Sequence, residues 1–151
     1  MLFLFRHSKA VDIELWKGED SERPITTEGK QRMQQLAQGL IFLKERLQNP
    51  VLYTSPYLRA VETAEILAEI WELKSIQKPL FSPGWDGRLS EDWVNQDIII
   101  VGHMPDLSEV VSTFTKGKYL IDFQPPSVAI LAKSKEKIRL RGYFSWELFE
   151  E

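Results

Sequence analysis

Cysteine is absent from the 151-residue chain, and histidine occurs only twice, at His7 and His103. The first absence removes disulfides, thiolate nucleophiles, iron–sulfur clusters and Cys-ligated zinc. The second removes any three-histidine metal site. Long hydrophobic runs are missing too. The apolar start, Leu2-Phe3-Leu4-Phe5, is far shorter than the apolar region of a secretory signal, has no basic residue before it and meets Arg6 and His7 at once. No later run approaches the length of a membrane span. A cytoplasmic location with no membrane partner is expected. Excess positive charge is lacking as well: 19 Lys+Arg face 22 Asp+Glu for a net charge of −3, which argues against general nucleic-acid binding.

What is present suits a globular domain. Hydrophobic residues make up 43% of the chain and aromatics 11%, including 5 Trp, which speaks against disorder. A chain of this length is expected to form a single domain, residues 1–151, that buries roughly 68–70% of its unfolded surface. Leu2 to Phe5 and Ile98-Ile99-Ile100-Val101 are short continuous apolar runs, the mark of strands buried on both faces of a parallel sheet. Val51-Leu52-Tyr53-Thr54 reads as a third such strand. Met33, Leu36, Ala37, Leu40, Leu43 and Leu47 recur at spacings of 3 and 4. They predict an amphipathic helix from a Thr26 or Thr27 cap to the break at Asn49-Pro50. Ser55-Pro56 reads as the cap and first residue of a second helix, which carries Ala60, Val61, Ala64, Leu67, Ala68 and Trp71 toward a core. Asp106 to Phe114 reads as a further helix, Leu89 to Asn95 as a weak one, and Ser127 to Ala132 with Ile138 to Phe144 as a hairpin. The alternation predicts an α/β fold: a three-layer sandwich with a mainly parallel central sheet and an antiparallel edge.

Three predicted strands end on polar chemistry: Arg6-His7, Ser55-Pro56 with Arg59 one turn into the following helix, and Gly102-His103. Ligands of open parallel sheets bind beyond the carboxyl ends of strands. Adjacent placement of these ends would bring both histidines and two arginines into one volume. Each residue alone has an ordinary explanation: Ser55 as a cap, Arg59 as a snorkelling helix residue, Gly102-His103 as a turn. Two imidazoles among guanidiniums, without a carboxylate cluster, together suit a dianion such as phosphate, which arginine grips through paired donors.

The same residues carry a family resemblance. Leu4-Phe5-Arg6-His7-Ser8-Lys9-Ala10 resembles the Arg-His signature that opens the histidine phosphatase (phosphoglycerate-mutase-like) superfamily. Thr54-Ser55-Pro56-Tyr57-Leu58-Arg59-Ala60 with Glu62-Thr63-Ala64 is similar to its second motif, and Val101-Gly102-His103 to its third. The short chain, Arg23-Pro24-Ile25-Thr26-Thr27-Glu28-Gly29 and the His103-x-Pro105 step resemble the SixA-type phosphohistidine phosphatases. The resemblance implies His7 as nucleophile, with Arg6, Arg23, Arg59 and His103 around the phosphoryl group. It implies no metal and no cofactor, because arginines supply the positive charge. Arg23 is otherwise simply a loop arginine beside Pro24.

Many superfamily members that cleave phosphate esters resemble one another in an acidic residue that protonates the leaving oxygen. Asp86 is the candidate by position, although Pro83-Gly84-Trp85-Asp86-Gly87 reads equally as a plain turn. The SixA-type branch resembles this chain in lacking a clear acid. Imidazole leaves phosphorus far more readily than an alkoxide, so protein phosphohistidine is the expected substrate. Small phosphate esters are the alternative, and a weakly catalytic phosphoprotein-binding module a third reading. Only residues 8–25 and 115–126 are long enough as loops to shape a rim, and neither is expected to form a closed lid. Such an open site suits a phosphorylated group presented on another protein. The basic runs Lys116-Gly117-Lys118 and Lys133 to Lys137 read as solvated turns.

Overall fold

The computed structural model describes residues 1–150. Its core is one six-stranded sheet, made of β1 (Leu2–Arg6), β2 (Val51–Thr54), β3 (Ser75–Gln77), β4 (Ile98–Gly102), β5 (Ser127–Ser134) and β6 (Lys137–Ser145) in the order β3-β2-β4-β1-β5-β6. The first four in that order run parallel, and β5 and β6 close one side antiparallel. Three helices follow: α1 (Thr27–Gly39), α2 (Leu58–Trp71) and α3 (Asp106–Phe114). The expected three-layer α/β sandwich with an antiparallel edge is the observed fold. No helix among the described residues is long and apolar enough to cross a membrane.

The continuous apolar runs are continuous because both faces of the sheet are covered. Phe3, Phe5, Leu52, Ile99, Val101, Val128 and Ile130 face α1 and α2. Leu2, Leu4, Tyr53, Ile98, Ile100, Ala129 and Leu131 face the other way, as the two-residue period of a strand demands. On the first face Trp71 sets its ring edge-on to Phe3 and Phe5, with centroids 6.3 and 6.1 Å away. Its indole N–H donates to the Ala37 carbonyl of α1 at 2.9 Å, so one side chain fixes α2 to both sheet and α1. Truncating such a fully buried aromatic costs about 3–5 kcal/mol.

The second face has α3 and then mostly irregular chain. Phe81, Trp85 and Trp93, all from the segment between β3 and β4, are buried there. Phe81 stacks on Tyr53 at 5.7 Å and meets Trp85 edge-on at 5.1 Å. Leu89 to Asn95 forms no helix. Asp92 accepts from the Val94 amide at 3.0 Å, a local side-chain turn that competes with helical bonding. Two other boundaries differ from expectation. Helix α1 stops at Gly39, whose missing Cβ would lie 2.3 Å from the Phe149 ring, and Ile41–Arg46 continues as a 3-10 turn. The short strand β3 has no apolar pattern: only Ser75 is half-buried, and Ile76 and Gln77 are exposed.

Candidate active site

Strands β2, β4 and β1 are neighbours, which meets the condition on which the three polar strand ends converge. Arg6 sits in register with Gly102, the His7 amide donates to the Gly102 carbonyl at 3.1 Å, and the Ser55 amide to the Val101 carbonyl at 3.0 Å. The rings of His7 and His103 lie 5.3 Å apart between centroids. These strand ends form the floor of the site.

The two imidazoles are held differently. Nδ1 of His7 lies 2.8 Å from the Ser8 carbonyl oxygen, which can only accept, so Nδ1 carries the proton and Nε2 keeps its lone pair. Ser8 is itself pinned, its amide donating to Thr63 Oγ1 at 2.9 Å and its hydroxyl to the Gly29 carbonyl at 2.6 Å. Burial pushes the His7 pKa down to about 3, against the pull of the Ser8 carbonyl and with help from His103, Arg59 and Arg6. His103 is only 3% exposed, and its Nε2 sits 2.8 Å from Ser55 Oγ. Burial first, then Arg59, lowers its pKa to about 4. Both rings are therefore neutral near pH 7.

Ser55 departs from the expected helix cap. Helix α2 begins at Leu58 with Tyr57 as its cap, and Pro56 precedes it. The Ser55 hydroxyl accepts from the Tyr57 amide at 3.1 Å while meeting His103. It orients an imidazole while it shapes the turn into α2. One turn on, α2 ties the site together: Arg59 points at the loop between β1 and α1, Glu62 accepts from the Ile25 amide at 2.9 Å, and Thr63 holds Ser8.

That loop, residues 7–26, is the rim. Its two ends close on each other through the Ala10–Ile25 bridge and the Thr26 amide on the Lys9 carbonyl at 2.9 Å. A Cβ on Gly29 would fall 2.3 Å from that same carbonyl, so only glycine allows the approach. Between the ends, a 3-10 turn at Asp20–Glu22 brings Arg23 over the floor. Arg23 donates through Nη1 to the Val11 carbonyl at 2.7 Å and through Nε to Asp20 Oδ1 at 3.1 Å. On the far side Arg6 donates to the Phe123 carbonyl, so the loop from 115 to 126 also reaches the site.

Arg6, Arg23, Arg59, His7 and His103 are thus brought together. Asp86 is not among them. It is exposed, its polar contacts among the described residues are with Arg88 alone, and that guanidinium holds its carboxyl below the ordinary aspartate range. Two residues here were not singled out from the sequence. Asp20 accepts from both Arg23 and Arg59, and its only sequence signal is a position three before Arg23. Ser127, the first residue of β5, stands in register with Arg6 of β1, and a serine that opens a strand carries no signal at all. Arg6 Nε, Arg59 Nε, His103 Nδ1 and Ser127 Oγ are four of the five buried side-chain polar atoms without a partner among the described residues; the fifth, Nε of Arg32, belongs to a guanidinium stacked on Trp146.

Comparison with known proteins agrees with this geometry. The family model of the histidine phosphatase superfamily (branch 1) matches residues 2–104. An uncharacterized protein of Picosynechococcus sp. is 31% identical, with 98% of this chain and 93% of the relative covered. The protein histidine phosphatase SixA complexed with tungstate superposes with a TM-score of 0.82 at 21% identity, over 99% of each chain. A SixA described as a phosphohistidine phosphatase from Agrobacterium tumefaciens gives 0.76 at 16% identity, over 95% of this chain and 97% of its own. A mutant phosphoserine phosphatase from Entamoeba histolytica in complex with phosphoserine gives 0.71 at 15% identity, over 97% of both. At these identities the solved structures speak for the fold.

Proposed function

The chain belongs to branch 1 of the histidine phosphatase superfamily, and from that premise we propose that it is a phosphatase acting on phosphohistidine in proteins, through a covalent phosphohistidine on His7. The observation that carries the reading is the His7 ring: neutral, proton fixed on Nδ1 by the Ser8 carbonyl, lone pair on Nε2. That is the state in which imidazole is a nucleophile.

In the first step the Nε2 lone pair attacks phosphorus in line and the bond from phosphorus to the substrate imidazole breaks. A substrate ring protonated on its other nitrogen leaves as neutral imidazole, so no protein acid must deliver a proton. In the second step water attacks phosphorus, the bond to Nε2 breaks, and inorganic phosphate and neutral His7 are released, the water proton passing to phosphate or solvent. Arg6, Arg23, Arg59 and the His103 ring surround the equatorial oxygens, where preorganised donors stabilise the charge of the transition state. The unpartnered buried nitrogens of Arg6, Arg59 and His103 are donors of the kind such oxygens need. Ester hydrolysis, by contrast, calls for a proton donor. An exposed Asp86 held ionised by Arg88 is poorly suited to that role, which favours the phosphoramidate substrate. The SixA neighbour carries tungstate, a tetrahedral oxyanion, in keeping with a phosphoryl pocket on this fold.

The test is a rapid alkaline quench, which preserves phosphoramidates, after mixing with a labelled phosphohistidine protein, phosphoserine and a sugar phosphate. Label on His7 from the phosphohistidine protein, with slow or no turnover of the esters, is expected. Turnover of the esters at equal efficiency, or turnover without labelled enzyme, would replace the reading.

A further inference from the structure

Among the described residues, Asp20 is the one acidic side chain that hydrogen-bonds to the arginines of the site, and its contacts divide by atom. Its backbone carbonyl accepts from Arg59 Nη1 at 2.9 Å, while its carboxylate accepts from Arg59 Nη2 at 3.2 Å and from Arg23 Nε at 3.1 Å. The two arginines have other anchors. Arg59 is 6% exposed and keeps the backbone bond, and Arg23 keeps the Val11 carbonyl at 2.7 Å. The Asp20 side chain is 44% exposed. The carboxylate is therefore the least anchored partner of two well-fixed cations, and it lies close enough to His103 for its charge to be felt there.

We propose that Asp20 sets the affinity of the site as an internal anion: its carboxylate holds the Arg23 and Arg59 donors until a phosphoryl group displaces it, and takes them back as phosphate leaves. The inference rests on the phosphatase reading and adds to it a residue that takes no part in bond making. A phosphoryl dianion brings two charges and three oxygens against one charge and two oxygens, so it wins the arginines. The contest nonetheless weakens its apparent binding by the fraction of time the carboxylate is away. Displacement needs only a side-chain rotation toward solvent, since the backbone carbonyl keeps Arg59 aimed throughout. Inorganic phosphate, the product, has the same dianionic oxygens, and its release is eased by the same competitor.

Substitution Asp20→Asn keeps the shape and the backbone bond and removes the charge. With inorganic phosphate as the calorimetric probe of the full chain, Asp20→Asn should bind about tenfold more tightly than the native protein. The product-inhibition constant should fall by the same factor. Asp20→Ala should follow it, which excludes new bonds from the amide and serves where the Asn variant folds poorly, and Asp20→Glu should stay near native affinity. Unchanged or weaker phosphate binding in the folded Asn and Ala variants overturns the inference, as does a Glu variant that binds as tightly as the Asn one. If the native protein turns over substrate and only the affinity shift is missing, this inference fails alone. If the native protein neither turns over nor binds phosphate, the phosphatase reading fails with it.

Discussion

His7 and His103 hang from adjacent strand ends, each fixed by a main-chain ladder that continues into the sheet, whereas Asp20 and Arg23 hang from a loop of about twenty residues closed only at its base. On the floor the two imidazoles carry no charge: both rings are neutral because desolvation outweighs every other influence on them. The rim is charged and balanced. Partial burial of Asp20 works against its ionisation, yet the Arg23 and Arg59 guanidiniums prevail and hold its carboxyl below the ordinary value. On the proposed mechanism, bond making falls to the floor and grip to the rim. A nucleophile must not shift by an ångström, so it belongs on a strand. A clamp that must open and close for each turnover belongs on a loop.

The largest effect is expected on the floor. His7→Ala should lower kcat by roughly 10³-fold or more, since the other candidates at the strand ends, the His103 Nε2 and the Ser55 hydroxyl, are engaged with each other. Folding should survive, because the ring lies outside both hydrophobic clusters and is partly exposed. Steady-state kinetics with a matched melting curve checks both halves. A variant that retains native kcat would show that bond making does not reside on the floor at all.

The same division explains what could be read from the chain in advance. Buried parallel strands write themselves as unbroken apolar runs, so Leu2 to Phe5 and Ile98 to Val101 marked their own ends and, with them, His7 and His103. Arg59 followed from its place four residues past Ser55 at the end of β2, although α2 begins two residues later than expected. Asp20 was invisible, because its role comes from the path of an irregular loop and no local pattern encodes that path. Ser55 was misassigned for a related reason: a serine before proline satisfies the rule for a helix cap whether or not it caps, and here His103 engages its hydroxyl. The aromatic cover of the second face was hidden in the same way. Trp85 and Trp93 stand in segments without helical or strand periodicity, although burial of their large side chains is what seals that face.

On the rim the expected effect is smaller and falls on grip. Arg23→Lys conserves charge but not the planar fork, and the single nitrogen of a lysine does not reproduce separate donors aimed at the Val11 carbonyl and at a phosphoryl oxygen. Losing one charge-assisted bond to the transition state costs about 1.5–3 kcal/mol, roughly ten- to a hundredfold in kcat/KM. Arg23→Ala should be at least as severe. The melting temperature should move little, as the loop remains closed by the Ala10–Ile25 bridge. Native kinetics in both variants would remove Arg23 from the clamp and leave the rim to Asp20 and Arg59.

Acid separates floor from rim by stability. A histidine in the unfolded chain titrates near its ordinary value of 6.5, whereas His103 in the folded protein titrates at about 4. Between those values the unfolded chain binds the proton that the native state refuses, so the contribution is full above about pH 6.5 and is lost as the pH falls toward 4. For this one buried ring the span is on the order of 3 kcal/mol. The depressed carboxyls, Asp20 among them, act in the same direction but below their ordinary range, around pH 4 and lower. Melting curves at pH 7 and pH 5 should therefore show a loss that comes from the histidines. It should shrink in His103→Gln and persist in Asp20→Asn. An equal loss in His103→Gln and the native protein would mean that the floor is not the desolvated region described above.

The smallest expected effect is none, and it bears on floor and rim together. On the proposed mechanism three guanidiniums, from Arg6 on one strand end, Arg59 on α2 and Arg23 on the loop, supply the positive charge for the phosphoryl oxygens. The same site offers a divalent ion little. His7 Nδ1 is committed as a donor to Ser8, His103 Nε2 is engaged by Ser55, and the Asp20 carboxylate is held by two arginines. Divalent ions that assist phosphoryl transfer want several oxygen ligands, usually carboxylates. Among the described residues, no group of three or more His, Asp and Glu side chains is placed to hold one. Activity measured after dialysis against excess EDTA should equal that of the untreated protein, and added magnesium, manganese or zinc should not raise it. Activity that vanishes on chelation and returns with a single metal would mean that the positive charge of the site is not supplied by floor and rim, and the assignment of grip to Arg23 and Arg59 would have to be given up.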